Sequence, residues 1–424
     1  MRKVHRRLFL LLSIGIACTA CSFAQEPRVS ATELALQAHK AYLAKDYAPA
    51  AALYERAVAQ GVKNAGHPYC GACAYTLAGN KDAAFAMLRK AIALGFREPG
   101  SLKNDAQLTL LHSDPRWPGL IADAEANEKR FQARHSDPEG ARFVTSDVDL
   151  FWKVYAELPA TSDPVGLLNR EYLDAGSVGL QDFIPSRILS GANLRATLQK
   201  YPRYFATIRA NTLKVASIEP EARQSFRKLK TLYDDAMFPD VYFVVGAMNS
   251  GGTSSSNGLL IGVDMFGRGP GVPMDEMDDW HRAVIHTCTV LPNIIAHELI
   301  HFQQKHEAAT LLAKAFHEGS ADFVASLISG GNFNQVTYDY GYAHEAELWR
   351  RFQAEMRGTD ASGWLYGSSL RDGHPADLGY FMGFRIAQAY YDRCRDKKQA
   401  IRDILTSGDF ERILKDSHYG ANLK

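Results

Sequence analysis

LPNIIAHELIHFQQKHEAATLLAKAFHEGSADF, residues 291 to 323, decides how the rest of this chain is read. It opens with His297-Glu298-Leu299-Ile300-His301, an HExxH. On a helix, residues i and i+4 lie one turn apart on one face, so both imidazoles reach a single ion while Glu298 stands about 100° round, beside the open coordination position. Pro292 is tolerated in a first turn, and Ile294, Ile295, Leu299, Ile300 and Phe302 give the helix a broad apolar side to bury.

Catalytic zinc takes three protein ligands and leaves the fourth position to water, so an HExxH needs one more donor. Glu307 stands where a metzincin carries its third histidine and Gln304 where it carries a glycine, which excludes that arrangement. Seventeen residues beyond His301 comes Glu318, with Asp322 one helical turn further on. A carboxylate ligand followed at i+4 by a second carboxylate suits a site whose second acid accepts the free ring N–H of a ligating histidine and fixes its tautomer. These spacings assign His297, His301 and Glu318 as zinc ligands and Asp322 as the group that holds His297. His306 and His317 read as hydrogen-bonded or solvated histidines rather than ligands.

HExxH followed by ExxxD resembles the gluzincin metallopeptidases. The longer text IIAHELIHFQQ…HEGSADFVASLISG, with DLGYFMGFRIAQAYYDR further on, resembles a bacterial family of predicted zinc-dependent proteases related to gliding-motility lipoproteins, over roughly residues 145 to 424. The resemblance implies a zincin-like catalytic domain with a strand just before the zinc helix that borders the cleft, here residues 259 to 265. It also implies a tyrosine or histidine from the C-terminal helical part as donor to the developing oxyanion. Tyr380 is the first choice, with His374 and Tyr366 as reserves; the competing reading makes Tyr380 a core aromatic beside Phe381 and Phe384.

The 424 residues, 46% hydrophobic and 22% charged, describe a folded chain long enough for two domains. Residues 1 to 24 read as a secretory signal: a basic start (Arg2, Lys3, Arg6, Arg7), an apolar run from Leu8 to Ala20, and Ser22-Phe23-Ala24 before Gln25. Lipoprotein processing at Cys18 or Cys21 competes with simple cleavage, which is favoured because neither cysteine has a leucine three positions earlier. Cleavage removes four basic and no acidic side chains, taking the formal charge from +1 to −3. That balance gives no electrostatic case for nucleic acid, and no span remains to cross a membrane. Cys70 and Cys73 lack a second CxxC and read, like Cys288 and Cys394, as small packing residues whose disulfide pairing stays open.

Residues 25 to 132 form a helical module. A shift of 34 matches Leu43 with Leu77, Ala50 with Ala84, Ala57 with Ala91 and Gly61 with Gly95, the period and small-residue pattern of tetratricopeptide helix hairpins, which the segment resembles. Two units are fewer than a free-standing stack needs, so residues 101 to 132 are expected to complete the module, or the module to dock on the catalytic domain. It serves either as a protein- or peptide-binding groove or as a prop. The polar, Pro- and Gly-bearing text at 133 to 144 reads as a linker. Val241 to Val245 and Leu259 to Val263 read as two strands of a hairpin around a Gly/Ser/Asn-rich loop, and helices are expected over 148–157, 188–233, 345–356, 378–392 and 400–405.

The expected fold is therefore α+β and predominantly helical, a zincin-like domain behind a short helical repeat module. The expected function is that of an exported, periplasmic or secreted, zinc peptidase acting on peptide or protein substrates. In it zinc lowers the pKa of its water and polarises the scissile carbonyl, and Glu298, as general base, takes the water's proton and returns it to the leaving amine. Two alternatives remain: an envelope binding or assembly protein with a structural or vestigial zinc site and a partner on the repeats, and a cell-wall amidase using the same site.

Overall fold

The computed structural model describes residues 29–366, 374–421 and 423. Helices α1 (Ala31–Leu43), α2 (Tyr47–Ala59), α3 (Gly66–Leu77) and α4 (Lys81–Ala93) form two antiparallel hairpins. Ser30 and Asn80 start α1 and α4 by accepting from the backbone N–H groups of Glu33 and Ala83, both at 3.1 Å. Ala38, Ala50, Ala51, Ala57, Ala72, Ala74 and Ala84 are fully buried, and their small side chains let the helices approach closely. Gly61 (φ +92°) and Gly95 (φ +95°), the pair matched by the 34-residue shift, both take the left-handed conformation that ends a helix.

Residues 101 to 132 complete the module, and the module also docks. α5 (Pro99–Asn104) and α6 (Trp117–His135) add Leu102, Trp117, Leu120 and Ala124 to the core around Tyr54 and Phe85. Asp174 accepts from the N–H groups of Ala31 (2.8 Å) and Thr32 (2.9 Å), capping α1 from outside the module. The N–H of Lys63 donates to Gln181 Oε1 at 2.7 Å, and Phe131 of α6 lies 6.2 Å from the ring of Phe302. The polar stretch after 132 begins inside α6, which continues to His135. There the His135 carbonyl accepts from the Phe238 N–H at 2.7 Å, and Arg134 pairs with buried Asp240 at 3.0 Å.

The sheet has four strands in the order β1 (Phe143–Val144), β2 (Asp240–Val244), β4 (Gly258–Gly262) and β3 (Gly252–Ser254). β2 and β4 pair in parallel, Val241 opposite Leu259, so they are not the two arms of a hairpin as the sequence suggested. The Gly/Ser-rich linker itself supplies β3, which turns back through Ser255–Asn257 and pairs antiparallel with β4. Both β2 and β4 are buried along their whole length, as continuous apolar central strands of a parallel ladder should be. The strand bordering the cleft is therefore β3, at the sheet's edge, and not residues 259 to 265.

The link from β2 to β3 is fixed by one buried acid. Asp264 accepts from the Gly246 N–H through Oδ1 and from the Met248 N–H through Oδ2, both at 2.7 Å, and holds Met248 at φ +59°. Burial raises the Asp264 carboxyl from its ordinary 3.8 to about 6, although those two donors work against the rise. A raised folded-state pKa means the folded chain holds a proton that the unfolded chain has released. This contribution is thus complete below pH 4 and disappears as pH rises through about 6, amounting to roughly 3 kcal/mol. Urea unfolding of wild type and Asp264→Asn at pH 4 and pH 7 should show wild type losing about 3 kcal/mol more than the variant on going from pH 4 to pH 7.

α7 (Ser146–Glu157) packs on β2 from one side, and α8 (Glu219–Leu232) and α9 (Leu291–Gln303) lie together with α9 against β3 and β4. α10 (Leu311–Ser329) follows α9 and is covered by α13 (Leu378–Arg393); α11 (Gln335–Ala343) and α12 (Glu345–Glu355) come between, and α14 (Lys397–Thr406) and α15 (Phe410–Ser417) close the core. Helices make up 66% of the structure, with this single small sheet, so the fold is α+β and predominantly helical.

Candidate metal centre

α9 carries His297 and His301 on one face, and α10 brings Glu318 to the same point. One ligand atom from each of the three lies within 4.8 Å of the others, the one such group of histidine, cysteine and acidic residues among the described residues. The two Nε2 atoms are 2.9 Å apart, and Glu318 Oε2 is 3.1 Å from His301 Nε2 and 3.7 Å from His297 Nε2. Donors at zinc–ligand distances of 2.0–2.1 Å in a tetrahedron stand about 3.3 Å apart, so the three atoms bracket the spacing that zinc requires.

Each histidine is also held from behind, as a metal-ligating imidazole should be. Asp322 Oδ1 is 2.7 Å from His297 Nδ1, and the Tyr338 hydroxyl of α11 donates to Asp322 Oδ2 at 2.7 Å. Gln304 Oε1 is 2.7 Å from His301 Nδ1, and the same amide donates to the His317 carbonyl at 2.7 Å. Both Nε2 atoms are thereby left facing the triad. Tyr338 lies sixteen residues from Asp322 with no local sequence signal. Gln304 does have one: it stands three residues after His301, within reach of the outward ring nitrogen at the end of α9.

Electrostatics bind the three donors together. Burial opposes a charge on His301, yet the carboxylate of Glu318 outweighs it and raises that imidazole to about 9. Burial would raise Glu318 as well, and the facing His301 instead lowers it to about 2. The cluster is thus built around a positive charge, which a proton or a metal ion can supply.

Glu298 is buried beside the triad and makes no hydrogen bond among the described residues. Burial raises its carboxyl, against the pull of His297, His301 and Arg187. Gly252 of β3 lies directly over it: a Cβ there would come within 2.5 Å of Glu298 Oε1, so only glycine lets the strand cross at this height. The cleft edge and the free carboxylate are thereby set side by side.

Of the three oxyanion candidates, Tyr380 and Tyr366 both reach Glu318, and Tyr380 also packs on His297. Its ring stacks 6.2 Å from that of His297, and burial followed by the charge of Glu318 holds its phenol well above the usual range. Tyr366 also reaches Glu318; burial and that carboxylate raise its hydroxyl to about 12, and its backbone is left-handed at φ +63°. His374 instead contacts the Tyr340 hydroxyl through Nδ1. His317 stacks 4.6 Å from His301 and is lowered by burial to about 3, and His306 stands edge-on to it at 5.4 Å. Neither belongs to the triad. Cys70, Cys73, Cys288 and Cys394 are all free thiols.

No helix among the described residues is long and apolar enough to cross a membrane, and the leader, with Cys18 and Cys21, lies outside those residues. No curated protein and no solved structure matches the chain. Residues 144–356, which contain the whole sheet from Val144 onward, α9, α10 and every donor of the triad, match the family described as Gliding motility protein GldB, and the chain belongs to that family.

Proposed function

We propose that this protein is a zinc-dependent peptidase held at the triad His297, His301 and Glu318. The observation that carries the reading is the contrast between these donors and Glu298. The donors are tied to one another and fixed from behind by Asp322 and Gln304, while the neighbouring carboxylate is buried under Gly252 at the cleft edge and makes no hydrogen bond among the described residues. A purely structural zinc site has no use for a free base and tends to close its fourth position with a protein ligand. Zinc bound there would supply Lewis acidity to a substrate carbonyl and acidify a water.

The chain's own residues account for the remaining tasks. Glu298, desolvated and raised, accepts the attacking water's proton and delivers it to the leaving amine nitrogen. Tyr380, whose phenol stays protonated at any physiological pH, donates to the carbonyl oxygen as it gains charge. Asp322, itself anchored by Tyr338, keeps His297 in the tautomer that leaves Nε2 free. The helical module, divided in the sequence from a zincin-like domain of 145 to 424 at residue 132, runs on through α6 to His135 and docks on that domain. The family's lipoprotein label supports an exported protein anchored through Cys18 or Cys21, beside the simply cleaved form with a signal at residues 1 to 24.

Metal analysis tests the ligand set. Protein purified without chelators should carry one zinc per chain, lost in His297→Ala, His301→Ala and Glu318→Ala. Asp322→Asn should weaken zinc by roughly 10–100-fold through a disoriented His297. Stoichiometric metal in all three alanine variants would sink the assignment.

A second reading is an envelope partner-binding or assembly protein with a structural or vestigial site, whose partner would sit on the helical module. A cell-wall amidase would use the same site on another amide.

A further inference from the structure

Two cavities, of about 590 Å³ and about 710 Å³, share Arg97, Glu98, Ser255 and Ser256 and so adjoin along one trench, which the hydrogen bond from Arg97 to the Ser256 carbonyl crosses at their junction. Its near end is bounded by His301 and Phe302 at the end of α9 and by Glu128, Phe131 and Gln132 of α6. Its far end lies between Asn64 and Tyr69 of the module and Asp182 and Asn257 at the β3–β4 turn. Arg97 joins the two. Its guanidinium sits 3.5 Å over the Phe131 ring, pairs with Glu128 at 2.8 Å and donates to the Ser256 carbonyl.

β3 leads into this trench. It lies at the sheet's edge with β4 on one side only, crosses Glu298 at Gly252 and reaches the near cavity at Ser254. An unpaired strand edge is a template for another extended chain, whose backbone pairs with it while alternate side chains enter flanking pockets. The charges of the far cavity complete the description. Glu98, Asp105 and Asp182 line it, and none of them forms an ion pair among the described residues, whereas Arg97, its cation, is engaged by Glu128.

We propose that this trench is the outer part of the substrate cleft, with the helical module as its far wall, and that it takes an extended polypeptide segment carrying basic side chains toward the β3–β4 turn. The module then reads sequence for the site behind it. The identity of the bond cut rests on the peptidase reading; the binding of the segment does not.

The probes are fluorescein-labelled dodecapeptides of one central sequence whose flank is Lys/Arg-rich, Gln-rich or Glu-rich, titrated by polarisation against zinc-loaded Glu298→Gln protein. Basic flanks should bind at least tenfold more tightly than acidic ones at low salt, an advantage that shrinks as salt is added. Glu98 is exposed, and among the described residues its side chain accepts a hydrogen bond from Ser101 alone, so Glu98→Lys should fold and should erase that advantage. Charge-indifferent binding, or an advantage that survives in Glu98→Lys, would overturn the proposal. Turnover of the same peptides by wild type separates the two ideas. Selective binding without cleavage removes the peptidase and keeps the trench, and cleavage without selectivity does the reverse.

Discussion

Glu298→Gln is expected to hold zinc near stoichiometry, fold as wild type and lose nearly all hydrolysis. Glutamine keeps the size that fits beneath Gly252, and no hydrogen bond of the described structure is broken, because Glu298 makes none. Basicity alone is removed. Loss of a general base costs on the order of 10²–10⁴-fold in rate. Zinc content and turnover measured on the same preparation check both halves of the statement. Equal inactivity of wild type and variant on peptides, proteins and cell-wall material, with both complementing a deletion strain, would replace the peptidase by the partner-binding protein.

Gly383→Ala should be the most damaging glycine-to-alanine change among the described residues. A Cβ at Gly383 would sit 1.8 Å from the Ala315 carbonyl oxygen and 2.4 Å from its carbon, and one at Gly319 would meet Phe384 N at 2.2 Å and the Tyr380 carbonyl at 2.3 Å. These obstacles are backbone atoms of α10 and α13, which no rotamer change can move aside. The helices must separate, and Glu318, next to Gly319, moves with them. Overpacking a core usually costs 1–3 kcal/mol; with two backbones in contact we expect about 3 kcal/mol or more. Urea unfolding should show the lower midpoint, with zinc affinity falling in parallel. An unchanged midpoint together with unchanged zinc would refute the close-contact argument.

The donors of the site were legible because their chemistry is periodic. His297 and His301 share a helical face by spacing alone, and Asp322 follows Glu318 by one turn, so residue numbers stand in for geometry. Tyr338 was not legible: it reaches Asp322 only because α11 packs against α13 beside the triad, and nothing local marks it. The strands failed for a different reason. Continuous apolar runs at 241–245 and 259–263 identify central strands but not their direction, and the glycines and serines between them signal a turn equally well if they also form an edge strand. Two residues, Phe143–Val144, suffice for β1, which is too short to leave a pattern. The helices over 345–356, 378–392 and 400–405 were read within a few residues of α12, α13 and α14, since their long amphipathic repeats leave little ambiguity.

The contact between α10 and α13 also sets an order of events in the life of the chain. His297, His301 and Glu318 lie within 22 residues of one another and leave the ribosome together, whereas α13 begins sixty residues after Glu318, at Leu378. Until that last stretch has emerged, α10 has no partner on its glycine face, and only its packing on α9 and α8 sets the height of Glu318 above the histidines. A nascent chain therefore carries all three side chains of the triad well before α13 can seat them. The close packing around the triad thus waits for the last part of the chain, so a chain cut short before Leu378 lacks the helix that seats Glu318.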